Sequence, residues 1–286
     1  MIKLVISGGD SFTYGSELPD DGNGPSKLSW ANLIANKLDA KHINTADGGR
    51  SNSFIVRHVT NAVHEAIQHD YKPEDIFVQI MWTFPGRQEF AINVDTKRMD
   101  SPWFPLDPYV CEDESKSEWF KKLPKTSNDQ WKTVHDDMHK RYLINKDLGL
   151  VDFAKEYYKV VSDTHDCYIS LKNIFFIQNL LENKNIKYLF LYVNENVLIP
   201  LQYGDKFTKG LSSFIKWNNF FTFPLPKPMR NQIPKPKFTK LNRHRYFGFD
   251  SWAKANKYQY ATSHPLELGH KDAADLIYER VKETIK

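Results

Sequence analysis

Cysteine is scarce in this chain: its 286 residues include two, Cys111 and Cys167. Two thiols so placed make neither a disulfide framework nor a zinc-ligand spacing, and they are compatible with a reducing compartment. Long hydrophobic runs are missing as well. The longest, Tyr188 to Val193, falls far short of the ~20 apolar residues of a bilayer-spanning helix. The N-terminal Met-Ile-Lys-Leu-Val-Ile-Ser carries no basic leader and no cleavage site. The expectation is a soluble protein made without a Sec signal, cytoplasmic by default. Strong charge of one sign is also lacking. A net charge of +4 gives no electrostatic footprint for nucleic acid.

Several motifs are absent too. No repeat is visible, no Gly-x-x-x-x-Gly-Lys-Ser/Thr phosphate loop occurs, and the glycines after the first strand do not form Gly-x-Gly-x-x-Gly. Asp20-Asp21-Gly22-Asn23-Gly24 lacks the calcium-loop spacing and reads as a plain loop. His64 and His69 are one residue too far apart to share a helix face as zinc ligands, so both read as solvated. No metal and no cofactor is expected.

What is present is an ordinary globular balance, 41% hydrophobic and 26% charged, with an aromatic fraction of 14% that serves cores or binding surfaces. Short apolar runs at Ile2–Ser7, Ile76–Met81 and Ile186–Val193, with an extended segment at His42–Ala46, read as buried parallel strands. Helical periodicity separates them: Ser29–Ala40, a face made by Ile55, Val59, Ala62, Val63, Ala66 and Ile67, and one long stretch Val151–Asn185. A final helix runs from about Gly269 to Ile285. The β-α-β-α-β rhythm predicts an α/β fold with a parallel sheet covered by helices.

Two segments break the rhythm. Residues 92 to 150, with Trp103, Trp119 and Trp131, read as an insertion or lid. Residues 194 to 250 hold an aromatic cluster (Trp217, Phe220, Phe221, Phe223) and a Pro/Lys tract that prolines keep out of any central strand or helix. The tract's cations, Lys227 to Arg245, read either as a phosphate or acidic-polysaccharide contact or, more plainly, as a solvated loop. The chain is taken as a single domain, 1–286, with insertions at approximately 92–150 and 194–250.

Three pieces carry chemistry. Gly9-Asp10-Ser11 with Gly15 puts a serine just past a strand, at the carboxyl edge where open α/β sheets bind ligands; the plainer reading is a helix-capping turn. His264-Pro265 with Gly269-His270 sets an extended histidine ahead of the last helix, able to swing over the same edge; the plainer reading is a surface histidine. His270 is expected to cap or pack a helix start. Gly49, within Asn44 to Asn52, offers an N–H to an oxyanion or simply turns the chain at positive φ.

Together these pieces resemble the SGNH/GDSL hydrolase family, over roughly residues 1 to 90 and 150 to 286. The resemblance implies a three-layer α/β/α, flavodoxin-like fold. It also implies cleavage of an ester through an acyl-serine intermediate, the substrate being a small molecule or a carbohydrate carrying an O-acetyl group. Ser11 would be the nucleophile and His264 the base, with the N–H groups of Ser11 and Gly49 as the oxyanion hole. Asp10, Asn52, Trp82 and Arg87 would lie along the substrate.

The sequence departs from that family twice. The Gly-x-Asn-Asp block is replaced by Trp82-Thr83-Phe84-Pro85-Gly86-Arg87, leaving Thr83 as a candidate oxyanion donor. The acid three residues before the histidine is missing, since Ala261-Thr262-Ser263 stand there; Asp250 is the nearest preceding carboxylate and the candidate acid. A Ser–His dyad, an acid from elsewhere, or a catalytically impaired relative that binds a glycan or a protein all remain open.

Overall fold

The computed structural model describes residues 1–22, 24–93, 102–112, 139–140, 142–194, 205–224 and 247–286. Strands β1 (Leu4–Gly8), β2 (Lys41–Asn44), β3 (Ile76–Trp82) and β6 (Lys187–Tyr192) form one sheet in the order β2-β1-β3-β6, every pair parallel. Strands β4 (Gln88–Ala91) and β5 (Trp103–Leu106) form a separate antiparallel pair. Helices among the described residues include α1 (Ser11–Tyr14), α2 (Trp30–Lys37), α3 (Asn52–Gln68), α4 (Leu150–Val160), α5 (Asp163–Asn183), α6 (Lys206–Ser212), α7 (Phe249–Ala255) and α8 (Glu267–Ile285).

All seven residues of β3 are buried, as a parallel strand covered on both faces must be. Alternation sorts its side chains. Val78, Ile80 and Trp82 join Leu4 and Ile6 against Ile55 and Val59 of α3 and Leu171 and Ile174 of α5. Phe77 and Met81 join Val5 and Leu189 against Trp30 and Ile34 of α2 and Ala273 and Ile277 of α8. The result is a mostly parallel sheet between two helical layers. Gly8 is required where α3 crosses β1: a Cβ there would collide with Val59 Cγ2.

The apolar pattern of Val151–Asn185 resolves into two helices rather than one long one. Ser162 stops the register and caps α5 through the N–H of His165, with Asp163 and Asp166 in the following turn. The aromatic cluster packs into the core. Phe220 stacks on Tyr192 and Phe223 on Trp252, while the N–H of Phe221 donates to the carbonyl of Phe190 at 2.7 Å. Beside β6 the sheet thus continues, among the described residues, as an isolated bridge between Phe190 and Phe220. Trp119, Trp131 and the cations from Lys227 to Arg245 lie outside the described residues. No helix among the described residues is long and apolar enough to cross a membrane.

Two histidines, His42 half-buried and His270 fully buried, hold the α2 side together. Gln79 Nε2 donates to Ser7 Oγ at 2.8 Å, which leaves the serine proton for His42 Nε2 at 2.7 Å. A neutral ring with its proton on Nδ1, donating to Asn32 Oδ1 at 3.1 Å, satisfies this network. His270 Nδ1 accepts the N–H of Trp30 at 3.1 Å, at the start of α2. Burial lowers His42 to about 4 and His270 to about 3, against about 6.5 in an unfolded chain. The unfolded chain binds protons first on acidification. The stability these rings contribute is therefore complete above about pH 6.5 and drains away as pH falls toward 4 and 3. Thermal melts from pH 7 to pH 4.5 should show a steadily falling melting temperature, and His270→Gln, though less stable at neutral pH, should flatten the slope. A wild-type melting temperature constant over that window contradicts the neutral state of these rings.

Candidate active site

The site lies at the carboxyl edge of β1. Asp10 caps the single turn of α1, its Oδ1 accepting the N–H of Phe12 at 3.1 Å. The turn closes on Gly15 in the left-handed region (φ 84°), whose N–H returns to the Ser11 carbonyl. A side chain at Gly15 would also crowd Ser26 and Ser29. Ser11 is thereby fixed at the head of a tight turn directly beyond the strand.

His264 comes from the segment between α7 and α8, folded back on itself by a bridge between Tyr260 and Pro265 and by the Ala261 N–H on the His264 carbonyl. Its Nε2 lies 2.8 Å from Ser11 Oγ, and its ring rests 4.6 Å from that of Phe12. A neutral imidazole in this pose accepts the serine proton at Nε2 and points Nδ1–H the other way.

On that far side stands Glu17, which the sequence reading had not singled out. Its Oε2 lies 3.2 Å from His264 Nδ1 and accepts the main-chain N–H groups of Thr262, Ser263 and His264 at 3.0–3.1 Å. Ser263 Oγ also approaches Nδ1, at 3.0 Å. Burial pushes the Glu17 carboxyl upward, but the hydrogen bonds from the His264 ring and the main-chain donors outweigh it and hold the group at about 2. Its stabilising contribution is present above the ordinary carboxylate range and lost as pH falls through about 2. The only hint in sequence is a carboxylate two residues past Gly15, in the loop that follows Ser11.

Asp250 is not at this place. It pairs with Lys254 at 2.7 Å and accepts from Tyr260 Oη at 3.0 Å, so the carboxylate facing His264 is Glu17.

Behind Ser11, the fully buried Asp10 receives Thr83 Oγ1–H at 2.6 Å and Arg87 at 2.9 Å on Oδ2. Arg87 also donates to Thr83 Oγ1 and lies over the Phe84 ring. The single Thr83 proton is committed to Asp10, so its hydroxyl has none to give an oxyanion. Asn52, 2% exposed, brackets the Thr83 peptide with Oδ1 on its N–H and Nδ2 on its carbonyl, and reaches Ser170 Oγ. It braces the end of β3 instead of facing substrate. Trp82 is 0% exposed, edge-on to Phe190; it belongs to the core. Gly49 sits at φ 70° in the turn before α3, and Asn44 Nδ2 ties the preceding strand end to the Thr13 carbonyl of α1 at 3.1 Å. Among the described residues no group of three or more His, Cys, Asp or Glu side chains is placed to hold a metal ion.

No family model matches the sequence, and no curated protein matches it. Solved structures do resemble it. One is the esterase EstA from Pseudoalteromonas sp., 11% identical over 98% of this chain and 97% of that one, with a TM-score of 0.41. Another is the acetyl xylan esterase Est2A from Butyrivibrio proteoclasticus, 15% identical, with a TM-score of 0.43. A third is a carbohydrate esterase, 13% identical, with a TM-score of 0.40. This chain is covered to 99% and 98% in the last two comparisons but spans only 63% and 65% of those proteins. Likenesses this distant carry no weight for activity.

The Asp10–Arg87 pair gives a direct test of the scaffold. Arg87→Met leaves a buried carboxylate with one hydroxyl donor and one N–H, and should lower stability in urea unfolding by about 3–5 kcal/mol. A loss under about 1 kcal/mol would mean that Asp10 does not depend on the guanidinium.

Proposed function

We propose that this chain is a serine ester hydrolase of the SGNH type, with Ser11 as nucleophile and His264 as general base. The observation that carries the reading is the 2.8 Å contact between Ser11 Oγ and His264 Nε2, at the carboxyl end of the first strand of a parallel sheet. His264 takes the hydroxyl proton as Ser11 attacks the ester carbonyl, then returns it to the leaving alcohol. Water hydrolyses the acyl-serine by the same route in reverse. The N–H groups of Ser11 and Gly49 are the oxyanion donors that the family resemblance implies; each such donor is worth roughly 10²–10³ in rate. Within the α1 turn Asp10 takes the N–H groups of Phe12, Thr13 and Tyr14 but not that of Ser11, which suits the Ser11 N–H to the task.

The narrower substrate reading is an O-acetyl ester on a carbohydrate. It rests on the family's range and on the aromatic side chains of the inserted segments, among them Trp103, over which Arg57 stacks at 4.3 Å.

Hydrolysis of p-nitrophenyl esters from acetyl to octanoyl should proceed with the wild type, fastest on short acyl chains. Turnover should fall by at least about 10³-fold in Ser11→Ala and in His264→Ala. Equal rates for wild type and Ser11→Ala, both folded, would remove the hydrolase reading and favour a binding protein built on the same scaffold.

A further inference from the structure

We propose that Glu17 is the positioning carboxylate of the site: supplied by the loop that follows Ser11, it orients His264 and pins the segment that carries it. This inference rests on the serine hydrolase reading and adds to it the group that reading lacks.

A histidine acting as base needs an acceptor on its second nitrogen, to fix the tautomer and to balance the imidazolium charge that forms when the serine proton arrives. The segment before His264 offers no carboxylate: its one acceptor at Nδ1 is the uncharged Ser263 hydroxyl, at 3.0 Å, which cannot balance an imidazolium, and the nearest preceding acid is held by Lys254 and Tyr260. Glu17 fills the role with one oxygen. The Oε2 that faces Nδ1 at 3.2 Å also gathers the N–H groups of residues 262 to 264. Those donors keep it anionic at neutral pH, although it is only a quarter exposed. They also tether the tip of a segment that has neither helix nor strand of its own. The hydrogen bonds within that tip, Ala261 to His264 and Gln259 to Leu266, join the segment to itself; Glu17 joins it to the loop after α1.

The backbone shows what this placement demands. Glu17 is a non-glycine residue at φ 69°, a conformation that costs on the order of 1 kcal/mol or more and persists where surrounding contacts impose it. Asp21 imposes it here, its Oδ2 accepting the Glu17 N–H at 2.8 Å. The acidic stretch at Asp20 and Asp21 thus acquires a purpose. Asp20 anchors the same loop through the Lys27 N–H and the Ser26 hydroxyl. Nucleophile, acid and base follow in the chain order Ser11, Glu17, His264.

The test compares Glu17→Gln, Glu17→Ala and Asp250→Asn with wild type, using p-nitrophenyl acetate across a pH series. Glutamine keeps an acceptor oxygen for the main-chain N–H groups but removes the charge. Glu17→Gln should fold but melt somewhat below wild type, because the stabilisation carried by the charged carboxylate is lost, and should lose at least about 10-fold in kcat with KM changed only a few-fold. The acid limb of its kcat/KM profile should move to lower pH, because the imidazolium has lost its anionic partner. Glu17→Ala, which also frees the segment, should lose about 10³–10⁴-fold. Asp250→Asn should match wild type. A wild-type kcat and an unmoved acid limb in Glu17→Gln overturn the inference, as does an equal loss in Asp250→Asn. An inactive wild type removes the hydrolase reading itself, and the two failures are therefore distinct.

Discussion

A carboxylate can remain ionised in a half-buried crevice beside an imidazole only if its charge is met by donors. At Glu17 that condition ties the site together. The donors are the His264 ring and three successive main-chain N–H groups, so one side chain fixes both the orientation of the histidine and the course of the chain around it. The serine contact follows from this. Ser11 is held by a turn that Asp10 opens and Gly15 closes, and His264 reaches it because the far end of the molecule is fastened to the loop following that turn. A contact between residues separated by 253 positions in sequence is in this way reduced to a local one.

The strand ends carry the rest of the burden. Asp10 sits at the exit of β1 and is neutralised from the exit of β3 by Thr83 and Arg87, while Asn52 at the start of α3 clamps the Thr83 peptide. Asp10, next to Ser11 in sequence, and Thr83, Arg87 and Asn52, brought from other elements, therefore act together as a buried brace. A buried ion pair of this kind gives little net stability, but breaking it strands a charge. That makes it a device for fixing geometry more than for raising stability. The same economy applies on the α2 side, where the half-buried His42 and the buried His270 are kept neutral and used as hydrogen-bonding groups.

Much of this was legible in the chain itself. The apolar runs at Ile2–Ser7 and Ile76–Met81 correspond to the buried parallel strands Leu4–Gly8 and Ile76–Trp82, and Ser29 marks a helix start that the structure uses as a cap. The glycine-flanked Ser11 and the proline-locked His264 stood out for the same local reasons. Trp82 was misjudged although the signal was present: it continues the alternation of Val78 and Ile80, which assigns it to the core face. Ser162 likewise announced the break between α4 and α5. Glu17 was different in kind. Its partners lie 245 to 247 positions away, and its left-handed backbone depends on Asp21, so no local pattern distinguishes it from a solvated glutamate. Asp250 was preferred because it precedes the histidine, a criterion of order along the chain that says nothing about approach in space.

The central claim is that His264 makes Ser11 a nucleophile. Mass spectrometry of the intact protein after treatment with a fluorophosphonate tests it most directly, because the reagent captures an activated serine whatever the natural ester is. The account predicts one phosphonyl group per chain, mapped by peptide analysis to Ser11, with the adduct forming far more slowly in His264→Ala. A wild-type protein that takes up no label, or that carries it on another residue, contradicts the account.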